Sequence, residues 1–336
     1  LLRHFGNVQM NCCHYLLTSS RLEVAQSSFR LLGHARKTTT MNIKQHTAEG
    51  HEQAALWNGR AGRAWVDAQA SLDRLFAPFE NLLVSEARTA AARRVLDVGC
   101  GTGATTLAIA RTLGGEGACT GADISEPMIA AARARAEREG ASASFICGDV
   151  QRYPFESASF DMIVSRFGVM FFDSPVQAFA NLRHAANDGA ALRAIAWRSA
   201  AENPFMTTAE QAAAPLLPNL PVRKPGAAGQ FAFADRDRVA SILEESGWGG
   251  IDIRAIDVEC TFSESDLLGY LTRLGPVGLA LQDEADERRR AEVVETVRAA
   301  FEPYVYGAGA RFTAACWMIA AQALSVPAEP KGATHA

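Results

Sequence analysis

The chain has 336 residues, 48% of them hydrophobic and 21% charged, with 33 basic against 37 acidic residues and a net charge of −4. That is enough apolar material for one large domain or two modest ones, and a slightly acidic total lacks the basic footprint that nucleic-acid binding requires. The longest apolar run, Ala314 to Ala321, is too short to cross a bilayer. Seven cysteines, at 12, 13, 100, 119, 147, 260 and 316, form no C-x-x-C pair and lie near no histidine at metal-ligand spacing. This points to reduced thiols in the cytoplasm and to no metal site, with Cys100, Cys119, Cys147 and Cys316 as small core residues.

Residues 1–40 hold five basic residues and one acid, Glu23. They read either as a targeting segment or as sequence upstream of an initiator at Met41, are expected to be disordered, and are left out of the fold. From Gln53 to Leu83 the residues Leu56, Trp65, Leu72, Leu75, Phe76, Phe79 and Leu82 recur at helical spacing and predict two covering helices. The period then changes. Strands are expected at Val95–Gly99, Gly117–Ile124, Ala143–Cys147, Phe160–Ser165 and Ala190–Trp197. Helices are expected at Gly103–Leu113, from Ser125 to a stop at Gly140, and from Asp173–Pro175 through Ala186, followed by a turn at Asp188-Gly189. Alternation of this kind predicts an α/β fold with a parallel sheet.

After Trp197 the rhythm breaks into a proline- and glycine-rich stretch, Asn203 to Gly229, expected to be a long functional loop or lid. Asp235 caps a helix with Val239, Ile242 and Leu243 inward, Gly247 ends it, and a strand runs from Ile251 to about Cys260. Glu264 to Tyr306 reads as helical, with Val294, Val297 and Phe301 inward, Arg311 to Ala323 as a strand, and residues 324–336 as a disordered tail. The domain is expected to span 41–323, with 50–90 as covering helices and 200–234 and 263–308 as cap insertions.

The strongest local signal is V-L-D-V-G-C-G-T-G, Val95 to Gly103, where a strand turns into a helix. Glycines at 99, 101 and 103 let bare backbone meet a ligand, and with Ala104 and Asp123 they also satisfy a loose dinucleotide pattern. Asp97 stands inside the strand, where a carboxylate would sit beside a cationic ligand. Asp123 ends the second strand and can accept two ribose hydroxyls, and Asp149 ends the third and can accept from an adenine amino group. Three acids at three adjacent strand ends suit a cationic nucleoside better than a pyrophosphate.

These segments resemble the class I S-adenosylmethionine-dependent methyltransferases, whose first motif V-L-D-V-G-C-G-T-G is similar to, with G-A-D-I-S-E-P-M-I as the second and F-I-C-G-D-V-Q-R-Y-P-F-E-S-A-S-F-D-M-I as the third and fourth. Within that superfamily the general likeness is to small-molecule enzymes of the ubiquinone and menaquinone C-methyltransferase type. The resemblance implies a Rossmann-like, mostly parallel seven-stranded sheet with its last strand antiparallel, helices on both faces and helical cap insertions. It implies S-adenosyl-L-methionine as cofactor, held by Asp97, Gly99, Cys100, Gly101, Gly103, Asp123, Ile124, Met128, Asp149 and Val150. Arg166 and Phe167 would line the methyl-transfer site, Arg166 within the cofactor's reach. Trp57, Arg63 and Trp65 are either scaffold or part of a helix closing over the cofactor, with Trp57 or Arg63 near its carboxylate.

Phe205, Phe231 and Tyr270, in an apolar cap, are candidate contacts for a small hydrophobic acceptor. Methyl transfer needs no protein nucleophile, and His184, Tyr270, Tyr304 and Tyr306 are undistinguished as bases, so no catalytic residue is assigned. The run Glu202-Asn203-Pro204-Phe205 lacks the second proline and the position of an amino-methylating motif. Other readings are an NAD(P)-dependent oxidoreductase on the same glycine turn and a non-catalytic cofactor-binding protein of this fold.

Overall fold

The computed structural model describes residues 52–224, 226–307 and 309–325. The expectations for residues 1–40 and for most of the C-terminal tail lie outside them. Three helices lead: α1, described over residues 52–58, α2 (Arg60–Asp67) and α3 (Gln69–Thr89). Their number exceeds the two expected, because the chain breaks again at Ala68. Leu72, Leu75, Phe76, Phe79 and Leu83 form the buried face of α3, while Leu56 and Leu82 are exposed, contrary to expectation. The inward register of α3 takes Leu83 instead, four residues after Phe79, as a helical period requires.

The alternating core follows: β1 (Arg94–Val98), α4 (Ala104–Leu113), β2 (Ala118–Asp123), α5 (Glu126–Glu139), β3 (Ala143–Cys147), β4 (Phe160–Arg166), α6 (Pro175–Ala185) and β5 (Ala186–Trp197). Local chemistry sets the ends of α5. Ser125 accepts from Met128 N–H at its start, Pro127 sits in its first turn, and Gly140 leaves it in the left-handed region. The Asp188-Gly189 turn is absorbed into β5 as an irregularity. Pairing with β4 jumps from Ala186 to Ala191, and Gly189 has φ +79°. Cys100, Cys119 and Cys316 are buried as expected, but Cys147 is exposed, because β3 is an edge strand.

Beyond β5 come α7 (Phe205–Ala213), α8 (Arg236–Glu245), β6 (Gly249–Ser263), α9 (Glu264–Arg273), α10 (Gly275–Asp283), α11 (Glu287–Ala300), the two-residue β7 (Val305–Tyr306) and β8 (Gly309–Gln322). Thus α7 occupies part of the expected loop, and the expected helical stretch to Tyr306 is three helices that stop short of a strand. The inner face of α11 carries Val293 and Val297, with Phe301 buried at its C-cap, while the expected Val294 is only half-buried.

The strands order as β3-β2-β1-β4-β5-β8-β6, with β7 attached to β8. All pairs from β3 to β5 are parallel, and β8 runs antiparallel to both β5 and β6. The main path therefore has seven strands, and the eighth is a short arm. Four consecutive residues of β1 and four of β4 are buried. Because successive side chains point to opposite faces, both faces of the sheet are covered. This topology brings the carboxyl ends of β1, β2, β3 and β4 to one edge, where the chain reverses direction around β1 and an α/β sheet opens its crevice.

Candidate functional site

At that edge lies a cavity of about 770 Å³, counting its open mouth, within the size range of small-ligand pockets. The glycine turn forms its floor. Gly99, Gly101 and Gly103 have φ of +66°, +55° and +84°, and a Cβ on Gly99 would lie 2.5 Å from the Cα of Gly168. Two backbones therefore touch where both residues are glycine. The N–H groups of Gly99 and Cys100 both donate to the Ala122 carbonyl, at 2.8 and 3.1 Å, which folds the turn against β2. Ser165 fixes the other side: its hydroxyl donates to Val98 O at 2.8 Å and accepts from the N–H groups of Gly168 and Val169.

Asp123 leaves the end of β2 with both carboxylate oxygens engaged. Gly101 N–H donates to Oδ2 at 2.8 Å and Ser125 N–H to Oδ1 at 2.9 Å. Burial raises its pKa, and these backbone donors partly oppose that rise. Asp149, at the end of β3, receives both the N–H and the side-chain amide of Gln151 on Oδ1, each at 3.0 Å. Gln151 is itself fixed by Ser174 N–H, which donates to Oε1 at 2.7 Å.

Asp97 is 1% exposed, beneath the turn, and accepts from the Thr106 hydroxyl at 2.7 Å. Burial pushes its carboxyl up to about 6, against the Thr106 hydrogen bond and the Arg166 guanidinium. Arg166 lines the cavity, and its Nη1 is buried without a hydrogen-bond partner. Its guanidinium lies over the Phe76 ring, and burial lowers its pKa against the pull of Glu80 and Asp97.

The opposite wall is aromatic. Trp57 packs edge-on against both Trp65 and Phe171, with centroids 5.9 and 5.1 Å away, and Phe172 completes the wall. Gln53, one turn before Trp57, also lines the cavity with its buried Oε1 unpaired.

Of the residues singled out in the sequence, the cavity brings together Trp57, Trp65, Gly99, Gly101, Asp123, Ile124, Met128, Asp149, Val150, Arg166 and Phe167. Asp97, Cys100 and Gly103 lie buried behind it. Arg63 is exposed. Phe205 lies in a separate aromatic cluster, 3.8 Å from Phe312 and 5.1 Å from Tyr304, and Tyr270 faces a second cavity with Phe262 and Asp266. Phe231 packs under the Arg223 guanidinium, and His184 and Tyr306 are exposed. Sequence reading missed Gln53, Gln151, Gly168, Phe171 and Phe172. Only Gln151 carried a signal, two residues past an acid already under suspicion.

Residues 95–189 match the family described as "Methyltransferase domain". Over 133 residues the chain is 31% identical to aklanonic acid methyltransferase DauC of Streptomyces sp. (strain C5), covering 38% of this chain and 60% of that one. The chain thus spans less than two thirds of that relative's length. Over 174 residues it is 24% identical to a demethylmenaquinone methyltransferase of Staphylococcus haemolyticus, covering 48% of this chain and 71% of that one. A solved structure of a putative methyltransferase from Bacillus halodurans aligns at TM-score 0.48 and 16% identity, over 72% of this chain and 99% of that one. The glycine turn and the first five strands of the sheet, up to the turn within β5, fall in the stretch that matches the methyltransferase-domain family, residues 95–189.

Proposed function

We propose that the protein transfers the methyl group of S-adenosylmethionine to a small, largely apolar organic acceptor and releases S-adenosylhomocysteine. The observation that carries this reading is the convergence of Gly99, Gly101, Asp123, Asp149 and Arg166 on one cavity walled by Trp57, Phe171 and Phe172. The donor set fits the cofactor's chemistry. Asp123 offers its free lone pairs to the ribose hydroxyls, and Asp149 with Val150 takes the adenine edge between Ile124 and Met128. Arg166, with its orphaned Nη1, is the partner for the cofactor carboxylate, and the orphaned Gln53 Oε1 is an acceptor for an N–H donor beside it. Gly101 leaves a gap that a side chain would narrow: a Cβ there would meet only Met128 Sδ, at 3.6 Å. Asp97 contributes negative potential from behind the turn, and Cys100 and Gly103 hold the turn's shape.

Bound S-adenosylmethionine supplies a methyl group on a positively charged sulfur. The chain's residues orient and enclose. Phe167, Phe171, Phe172 and Trp57 exclude water from the reacting end, and alignment of acceptor and methyl group supplies the acceleration. The acceptors in the names of the two curated relatives, aklanonic acid and demethylmenaquinone, are small organic molecules, which supports a small acceptor here. The segments 200–234 and 263–308 form the cap of the acceptor side, with Phe205, Phe231 and Tyr270 among its apolar residues. Among the described residues, the free buried cysteines Cys100, Cys119, Cys260 and Cys316 suit a reducing cytoplasm.

Calorimetric titration with S-adenosylhomocysteine and, separately, with NADH tests the reading. Micromolar binding of the first and none of the second is expected. Binding of NADH alone overturns it.

A further inference from the structure

The aromatic wall of the cavity belongs to the helical lead-in, and one exposed side chain there ties that wall to the opposite rim. Asn58 follows Trp57 at the end of α1. Its Nδ2 donates to Ile124 O at 3.0 Å and to Ala54 O at 2.9 Å, and its Oδ1 accepts from Glu126 N–H at 2.8 Å. Ile124 and Glu126 bracket Ser125, whose hydroxyl donates to Trp57 O at 2.7 Å. Gly62 closes the junction, since a Cβ there would lie 1.9 Å from Trp57 O and 2.9 Å from Ser125 Oγ. Residues 124–126 follow Asp123 directly, and Ser125 N–H is one of the backbone donors that hold its carboxylate. The position of Trp57 and Gln53 over the cavity is thereby fixed to the three residues that follow Asp123, of which Ser125 also holds the Asp123 carboxylate.

We propose that Asn58 is a latch: it positions α1 across the cofactor cavity, and its bonds to Ile124 and Glu126 must break before cofactor can leave. The proposal rests on the reading of this cavity as the S-adenosylmethionine site. Asn58 does not line the cavity, so it acts as a positioning residue through Trp57 and Gln53. Its amide spans two backbone groups of opposite polarity, which a carboxylate, an acceptor only, satisfies in half. It also supplies an acceptor to the first turn of α5, where N–H groups lack partners within the helix.

The test measures release of tritiated S-adenosylhomocysteine by rapid filtration, with the melting temperature of the unliganded chain taken in parallel. Asn58→Ala is expected to speed release about tenfold, the effect of losing about two ordinary hydrogen bonds from the closed state. The unliganded melting temperature is expected to stay within about 2 °C, since the side chain is exposed and buries no core. Asn58→Asp keeps the acceptor for Glu126 N–H and loses the donor to Ile124 O, so it is expected to fall between, and it serves also if the alanine variant folds poorly. Arg60→Ala is the control on the neighbouring helix. It removes only an exposed ion pair with Asp283 and is expected to leave release within about twofold. Wild-type release rates in both Asn58 variants, or equal acceleration in Arg60→Ala, overturn the latch. A wild-type chain that binds no S-adenosylhomocysteine overturns the cofactor reading instead.

Discussion

Replacing Asp123 separates the two tasks that the structure gives one carboxylate. Asp123→Ala removes the acceptor of Gly101 N–H at 2.8 Å and of Ser125 N–H at 2.9 Å. A hydrogen bond to a charged group contributes roughly 1.5–3 kcal/mol, and Gly101 lies at the cavity where water can replace its partner. The loss of folding stability should therefore be about 2–4 kcal/mol, less than two full bonds. If the free lone pairs take ribose hydroxyls, affinity for S-adenosylhomocysteine should fall independently by about 1–3 kcal/mol, roughly 5- to 150-fold. Asp123→Asn keeps one backbone donor satisfied and turns an amide N–H toward the other. Its stability loss should be smaller, while its ligand loss remains because one acceptor oxygen is gone. Urea denaturation and calorimetric titration read the two quantities separately. Because burial raises the Asp123 pKa, affinity should also begin to fall at a higher pH than an ordinary aspartate would impose. Wild-type affinity in both variants, with only stability lowered, would show that the carboxylate merely shapes the turn.

Gly168→Ala places a Cβ 2.5 Å from Val98 O and 2.7 Å from the Gly99 Cα, so it should displace the glycine turn and weaken S-adenosylhomocysteine binding at least ~10-fold; a variant that binds normally would show that the two loops can part freely. Asp97→Asn should stabilise the unliganded protein at pH 7. The folded carboxyl, at about 6 instead of 3.8, holds its proton more tightly than in the unfolded chain, so its contribution is fullest below pH 3.8 and is lost as pH rises through 6. That corresponds to a difference on the order of 3 kcal/mol at neutral pH, shrinking to nothing near pH 4, and parallel stability–pH curves for the two proteins would refute it. Asn203→Ala should cost about 2–4 kcal/mol in thermal or urea unfolding without changing cofactor affinity. The buried amide donates to Ser199 O and Ala315 O and accepts from Ala315 N–H, all away from the cavity. An affinity loss matching the stability loss would place Asn203 in the site after all.

The parts of the fold that could be read from the sequence are those dictated by short-range chemistry. Ser125, Pro127 and Gly140 bound α5 through a cap, a tolerated first-turn proline and a left-handed exit, all visible in a dozen residues. β3 was legible to the residue because glycine and polar neighbours bracket it. The stretch after β5 was not legible in the same way. Asn203 starts α7 by bonding to Ala315, 112 residues away, and no local pattern foretells that a proline-rich stretch will be pinned to β8. Its motif-like setting, Glu202-Asn203-Pro204-Phe205, owes its asparagine to this structural bond. The Asp188-Gly189 pair has turn chemistry, yet pairing with β4 on one side and β8 on the other keeps it inside a strand as a bulge. Tertiary pairing outweighs turn propensity there.

The site divides along the same line. Gly99, Gly101, Asp123 and Asp149 were legible because each sits at the carboxyl end of its own strand or in the turn that leaves one, where topology alone brings neighbours together. Gly168 was not, since its need for hydrogen as a side chain arises only from the backbone of Gly99, 69 residues earlier. Charge explains why the acids are worth their cost. Asp97 and Asp123 are both held with raised pKa by burial, an unfavourable state for an empty site. Arg166 is the one cationic residue that lines the cavity among those described, and burial disfavours its charge as well. A ligand carrying a sulfonium, an ammonium and a carboxylate offsets all three at once, whereas a dinucleotide pyrophosphate would bring further negative charge toward two buried acids. The burial of these charges thus selects between ligands that the glycine turn by itself would admit equally.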